Sequence, residues 1–369
     1  MIRHDRVLAR SVTIGADGIA ERVRALRRTL DAPGVLPPFD VQGAFALYQA
    51  LLGAVAPLLD DASHVILVAD GALQSLPLGV LVTAPPNPVT EPADYRAVPW
   101  FARAHAVTVL PSVSSLRALR RFAHASTAAH PFLGIGDPAV GSRRDCRASL
   151  TLASAFRGGD ADVASLRELC PLPEAREELR ALARAEGASA EDDVYVGERA
   201  TMQRVRSLKL SDYRVIAFAT HGLVAGEIPN LAEPALVLTP PASPGPGNDG
   251  LLRASEVAQL DLNADWVILS GCNTAAGNAP GAEGLSGLAQ AFFYAGARSL
   301  LVSHWPVLSE AAEELTVTML GALRDDPALG RAEALRRAEM DMLDHRDPAL
   351  ASPAAWAAFS QIGADARTE

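Results

Sequence analysis

The chain has 369 residues, 49% of them hydrophobic, and a formal net charge of −10, with a pI of about 5.3. Its length is roughly two domains' worth and leaves ample material for a buried core. An acidic surface repels phosphate backbones, and no basic run is interleaved with aromatics, so direct nucleic-acid binding is excluded.

Cys146, Cys170 and Cys272 show no C-x-x-C spacing. Three scattered cysteines do not make a disulfide framework. The odd count fits a reducing cytosol, with any special cysteine chemical rather than structural. The first twenty residues are broken by Arg3, Asp5, Arg6, Arg10 and Asp17, unlike a secretory signal. No apolar run approaches the ~18 residues of a membrane span. The expectation is a soluble, cytoplasmic protein with no membrane partner. The residues do not speak to its oligomeric state.

Residues 1–40 read as a lead-in. Ile19 to Leu30 suits a short amphipathic helix with Arg22, Arg24, Arg27 and Arg28 on its outer face. That is a solvated helix in the simplest reading, or a junction to an upstream module or partner. Pro33, Gly34, Pro37 and Pro38 then break the chain. A second helix, rich in Ala and Leu, is expected near 41–59. The short apolar runs 65–68, 107–110 and 132–135 read as strands, stopped by Asp70-Gly71, Pro111 and Asp137-Pro138. Ser112 suits the cap of the helix that follows the second. Helices alternating with short, unalternating strands are the pattern of an α/β sheet buried on both faces.

Residues 139–170 read as a long connection, so the first half spans 41–170 and the second 171–369. Pro173 begins a helix, Glu174 and Glu177 complement its N-terminal dipole, and Gly187 ends it. Strand-like runs follow at 194–196, 215–218, 235–238, 266–269 and 299–302. Leu285, Leu288, Ala289, Phe292 and Phe293 make one apolar helix face.

In open α/β sheets, ligands bind beyond the carboxyl ends of strands. After 215–218 comes Ala219-Thr220-His221-Gly222. After 266–269 comes Ser270-Gly271-Cys272-Asn273-Thr274. If these strands are neighbours, an imidazole and a thiol emerge at one edge, about 50 residues apart in sequence, the spacing of caspases. A thiol with a pKa near ~8.5 is only slightly ionised at neutral pH. An imidazole beside it can take the proton and later protonate a leaving amine. Gly222 and Gly271 let backbone approach a substrate, and the N–H groups of Gly222 and Cys272 suit an oxyanion hole. Taken singly, a Cys or a His after a strand is more often packing than chemistry. The pair carries the argument.

The segments V-I-A-F-A-T-H-G and V-I-L-S-G-C-N-T-A-A-G resemble the two signature stretches of the CHAT family of caspase-like peptidases, relatives of separases and caspases. Supporting segments are D-G-A-L-Q-S-L-P within 66–80, the region from Pro171 to Glu177, G-A-E-G-L-S-G-L-A-Q-A-F-F-Y-A-G-A, S-H-W-P-V, and A-A-W-A-A-F within 353–363. In order, they cover about residues 40–365.

The resemblance implies a caspase-like three-layer α/β fold in two halves, the first a pseudo-protease half and the second active, each with a mainly parallel sheet. It implies His221 as the catalytic histidine and Cys272 as the nucleophile of a peptidase. It places Ser303, His304 and Trp305 on a strand that pairs with an extended substrate. Separases carry acids just after this tryptophan, whereas here Pro306-Val307-Leu308-Ser309 follows and the first acid is Glu310. Basic specificity is weakened accordingly. Glu283 can still charge the pocket, although its simpler reading is a carboxylate at a helix N-terminus.

No metal or organic cofactor is called for, and His105, His124, His130 and His345 have no partner at metal-ligand spacing. The expected partners are a protein or peptide substrate and an activator or sensor protein, and the resemblance suggests a role in bacterial defence or cell death. The rival reading from another class is a catalytically silent signalling or interaction module on the same fold.

Overall fold

The computed structural model describes residues 1–31, 37–122, 125–141, 166–167, 169–223, 231–243, 245, 247–271, 287–305, 307 and 309–365. Its centre is one eight-stranded sheet. In chain order the strands are β1 (His64–Leu67), β2 (Ala106–Val109), β3 (His130–Pro138), β4 (Val194–Gly197), β5 (Tyr213–Ala219), β9 (Trp266–Ser270), β10 (Ser299–Ser303) and β11 (Phe359–Gly363). Their spatial order is β1-β2-β11-β10-β9-β5-β3-β4. A small antiparallel sheet holds β6 (Gly222–Leu223), β7 (Ala235–Val237) and β8 (Leu251–Arg253).

The large sheet is two parallel blocks. Strands β1, β2 and β11 run one way. Strands β10, β9, β5, β3 and β4 run the other. The blocks meet at the one antiparallel pairing among these strands, β10 with β11. Two halves with a sheet each were expected; the halves instead share a continuous sheet. Strand β3, from the first half of the sequence, lies inside the second block between β5 and β4. The last strand, β11, completes the first block.

Burial on both faces explains the unalternating strands. Val215, Ala217 and Ala219 face one core while Ile216 and Phe218 face the other. The first core lies under α1 (Ala16–Arg27), α2 (Val41–Leu51), α4 (Pro173–Ala185), α8 (Ser309–Asp325), α9 (Arg331–Asp344) and α10 (Pro353–Trp356). The second lies under α5 (Met202–Ser207), α6 (Ala254–Val257) and α7 (Gly287–Ala295). The result is the helix–sheet–helix layering expected of the α/β class.

Local signals act as expected at several ends. Ser112 Oγ accepts the Ser115 N–H at 3.2 Å, opening α3 (Val113–Phe122). Pro173 occupies the first turn of α4, and Gly187 takes a φ of 73° just past its end. Helix α2 stops at Leu51 rather than near 59. A 3₁₀ turn over Gly53–Leu58 replaces its end, with Pro57 unable to donate to a continuing helix. Helix α1 is not merely solvated. Val23 and Leu26 are buried in the common core. No helix among the described residues is long and apolar enough to cross a membrane.

Candidate active site

Strands β5 and β9 are adjacent and parallel, with Ala219 opposite Ser270. His221 follows Ala219 by two residues. Gly271 follows Ser270 and is the last described residue before Cys272. Cys272 and Glu283 lie outside the described residues, as does Cys146. The structure therefore speaks to His221 and to the strand end that carries Cys272.

Close strand approach at this edge depends on glycine. Gly136 of β3 sits opposite Ala219. A Cβ on Gly136 would lie 2.1 Å from the Ala219 carbonyl oxygen, well inside contact distance. The chain beyond Ala219 then turns into β6. Thr220 Oγ1 donates to the Val237 carbonyl, the His221 carbonyl accepts the Val237 N–H at 2.9 Å, and Gly222 pairs with Leu236. Gly222 is thus a buried, backbone-paired residue immediately beside the imidazole.

The His221 ring is oriented by a backbone group. Its Nε2 lies 2.8 Å from the Cys170 carbonyl oxygen. A carbonyl can only accept, so Nε2 carries the proton and Nδ1 keeps its lone pair. Burial lowers the His221 pKa below its ordinary 6.5, outweighing the Cys170 hydrogen bond that raises it. The ring is neutral at neutral pH, with a basic nitrogen available.

The Cys170 carbonyl is itself held in place. Asp137, ending β3, has a positive φ of 39° and is buried. Its Oδ1 accepts the Leu172 N–H at 3.3 Å. Its Oδ2 accepts from Arg176 Nε at 2.8 Å and lies 2.6 Å from a terminal guanidinium nitrogen. Asp137 and Arg176 so pin the Cys170–Leu172 segment across His221. In the sequence Asp137-Pro138 reads only as a strand stop, so this role of Asp137 had no local signal. A polar recess of about 530 Å³ opens beside it at the carboxyl ends of β3 and β4. It is lined by Asp137, Pro171, Arg176, Arg180, Glu198 and Arg199 among others.

Cys170 is disulfide-bonded, which differs from the expectation of thiols in a reducing compartment. The other two cysteines of the chain, Cys146 and Cys272, are outside the described residues.

Ser303, His304 and Trp305 are all buried. Ser303 pairs with Phe359 of β11, and its Oγ donates to the Gly271 carbonyl. The His304 N–H is taken by the Ala358 carbonyl at 2.8 Å, and the His304 carbonyl accepts from Arg27 at 2.7 Å. Strand addition by a substrate therefore has no open backbone at His304. The His304 ring is kept neutral, its pKa pushed down to about 3 by burial and then by the charge of Arg27. The Trp305 indole donates to Ala354 at 2.9 Å and lies under the Arg27 guanidinium, 5.3 Å from the ring centroid. These residues hold Gly271 and the core together, and Arg27 of the lead-in helix is part of that arrangement.

Comparison with known proteins agrees with the family resemblance seen in the sequence. The family model of the CHAT domain matches residues 42–364. The chain belongs to the CHAT-domain family. Tetratricopeptide repeat protein 28 of Mus musculus is 29% identical over 236 residues, and that of Homo sapiens is 28% identical over 236 residues. Each alignment covers 53% of this chain and 9% of the relative, so the chain spans a small part of those proteins. Two crystal structures of the Saccharomyces cerevisiae separase–securin complex are also similar. One has a TM-score of 0.41 at 13% identity, the other 0.36 at 15% identity. Each covers 70% of this chain and 14% of separase-complex chain compared.

Proposed function

We propose that this CHAT domain is a cysteine endopeptidase acting on a protein or peptide substrate through His221 and Cys272. The observation that carries the reading is the parallel register of β5 and β9, together with the orientation of His221 by the Cys170 carbonyl. Nδ1 of His221 takes the proton of the Cys272 thiol. The thiolate attacks the scissile carbonyl, and the N–H groups of Gly222 and Cys272 stabilise the oxyanion. The imidazolium then protonates the leaving amine as the C–N bond breaks, giving an acyl-enzyme on Cys272. Water, deprotonated by the same imidazole, hydrolyses the thioester and restores the thiol. Glu283 enters this reading as a carboxylate of the substrate pocket. No cofactor takes part.

Activation by a sensor or partner is part of the proposal. The matched relatives are far longer and are named for tetratricopeptide repeats, and repeat arrays offer extended binding surfaces. A cytoplasmic setting is also part of it. Peptide mapping of protein from cells quenched with N-ethylmaleimide tests that setting through the redox state of Cys170.

The test is digestion of a diverse unstructured peptide library under reductant by wild type, Cys272→Ala and His221→Ala, read by mass spectrometry. Cuts made by wild type and lost in both variants support the peptidase, and their flanking residues report the pocket preference. Cuts that persist in Cys272→Ala overturn it. No cuts by any form, with or without candidate activators, favour the silent interaction module.

A further inference from the structure

Glu178 of α4 is a fully buried acid placed two helical turns from the Cys170–Leu172 segment, against the end of β9. It is 3% exposed. The Ser270 hydroxyl donates to its Oε2 at 3.0 Å, and its Oε1 has no hydrogen-bond partner among the described residues. Ser270 and Gly271 are the two residues before Cys272. Gly271 is also held from β10, by the Ser303 hydroxyl donating to its carbonyl. A buried carboxyl with one oxygen unmatched costs stability.

We propose that Glu178 is a positioning residue for the nucleophile, holding the Ser270–Gly271 strand end from α4 while Ser303 holds it from β10. The inference rests on the reading of Cys272 as the nucleophile. The same helix then serves both halves of the dyad, because the segment leading into it orients His221.

The arrangement works with Glu178 neutral. Burial raises its pKa to about 7, the Ser270 hydrogen bond opposing and Glu313 adding to the rise. Glu313 on α8 is the charged group bearing on it. β9 presents the Ser270 hydroxyl, and the same face of β3 and β5 presents Phe132, Gly134, Gly136, Ala217 and Ala219, none of which titrates. Ionisation above neutrality puts an unmatched negative charge behind the strand end. That charge opposes formation of a thiolate.

The experiment measures alkylation of Cys272 by iodoacetamide under reductant, resolved by mass spectrometry, from about pH 5.5 to 8.5, for wild type, Glu178→Gln, Glu178→Ala and Ser270→Ala. Glu178→Gln keeps the shape and an acceptor for Ser270 but cannot ionise. Its rate should match wild type at the acid end and exceed it by about threefold or more at the alkaline end. Glu178→Ala and Ser270→Ala should lower the rate about tenfold across the range. If Glu178→Ala does not fold, Glu178→Gln and Ser270→Ala decide the matter. Superimposable profiles for wild type and Glu178→Gln, with Ser270→Ala unchanged, overturn the positioning role. Wild-type Cys272 labelling no faster than Cys146 overturns the nucleophile reading instead, and the two failures are thereby distinct.

Discussion

At the scale of single residues, the site depends on a relay of hydrogen bonds that ends at one imidazole. Asp137 holds Leu172 and Arg176, and the carbonyl of Cys170, two residues before Leu172, selects which ring nitrogen of His221 is basic. Asp137→Asn keeps the shape but loses the charge that Arg176 grips. Charge-assisted hydrogen bonds of this kind contribute about 1.5–3 kcal/mol; the guanidinium is 40% exposed, so the lower part of that range applies. The expected result is a kcat reduced about tenfold with KM nearly unchanged, in protein whose circular dichroism matches wild type. A purely structural role would lower the melting temperature and leave the kcat of the folded fraction intact.

At the scale of elements, β3 and α4 matter more to the site than their sequences announce. Gly136 sits where any side chain would strike the backbone of β5, so Gly136→Val must separate the two strands. Overpacking of this kind costs about 1–3 kcal/mol, and here it also displaces the residues leading into His221. Urea unfolding should show a lowered midpoint, and activity should fall further than the folded fraction does. Helix α1, over the same core as α4, shows the same coupling. Its Arg27 bonds Ser75, His304 and Asp31, so a segment read as a lead-in is docked onto the strand beside the site.

At the scale of the whole molecule, buried ionisable groups set a pH profile for stability. Glu178 and Glu339 have ordinary values of 4.5 raised by burial to about 7 and about 8. Above pH 4.5 the unfolded chain releases these protons before the native state does. Each acid therefore lowers stability as pH rises towards its native value. His304 works in the other direction. Its native value of about 3 lies below the ordinary 6.5, so below pH 6.5 the unfolded chain takes up a proton that the native state refuses. His221 is lowered as well and adds to this. Between 4.5 and 6.5 the two effects oppose each other in setting stability. It then falls from about 6.5 to about 8 as the acids alone titrate. Melting temperatures across pH should show the alkaline decline. Glu339→Gln should shrink the decline, and an unchanged alkaline limb in this variant would contradict the assignment.

Much of this was legible in the residues. Apolar runs bounded by Gly, Pro and Asp marked β1, β2, β3, β4, β5, β7, β9 and β10, because burial on both faces demands such runs. Pro173 and Gly187 marked the ends of α4, because backbone limits act locally. His221 and Cys272 stood out because each follows a strand beside a glycine. The rest depended on partners distant in sequence. Strand β11 contains Ser360 and Gln361, both buried, and its polar pattern does not announce a central strand. The union of both halves in one sheet is a property of pairing rather than of composition. Asp137, Glu178 and the Cys170 carbonyl acquire roles only when β3, α4 and β9 come together. A sequence states which groups a chain has and how its backbone bends locally. Which of those groups face one another, and so which charges are buried and which ring nitrogen is basic, is decided when the sheet assembles.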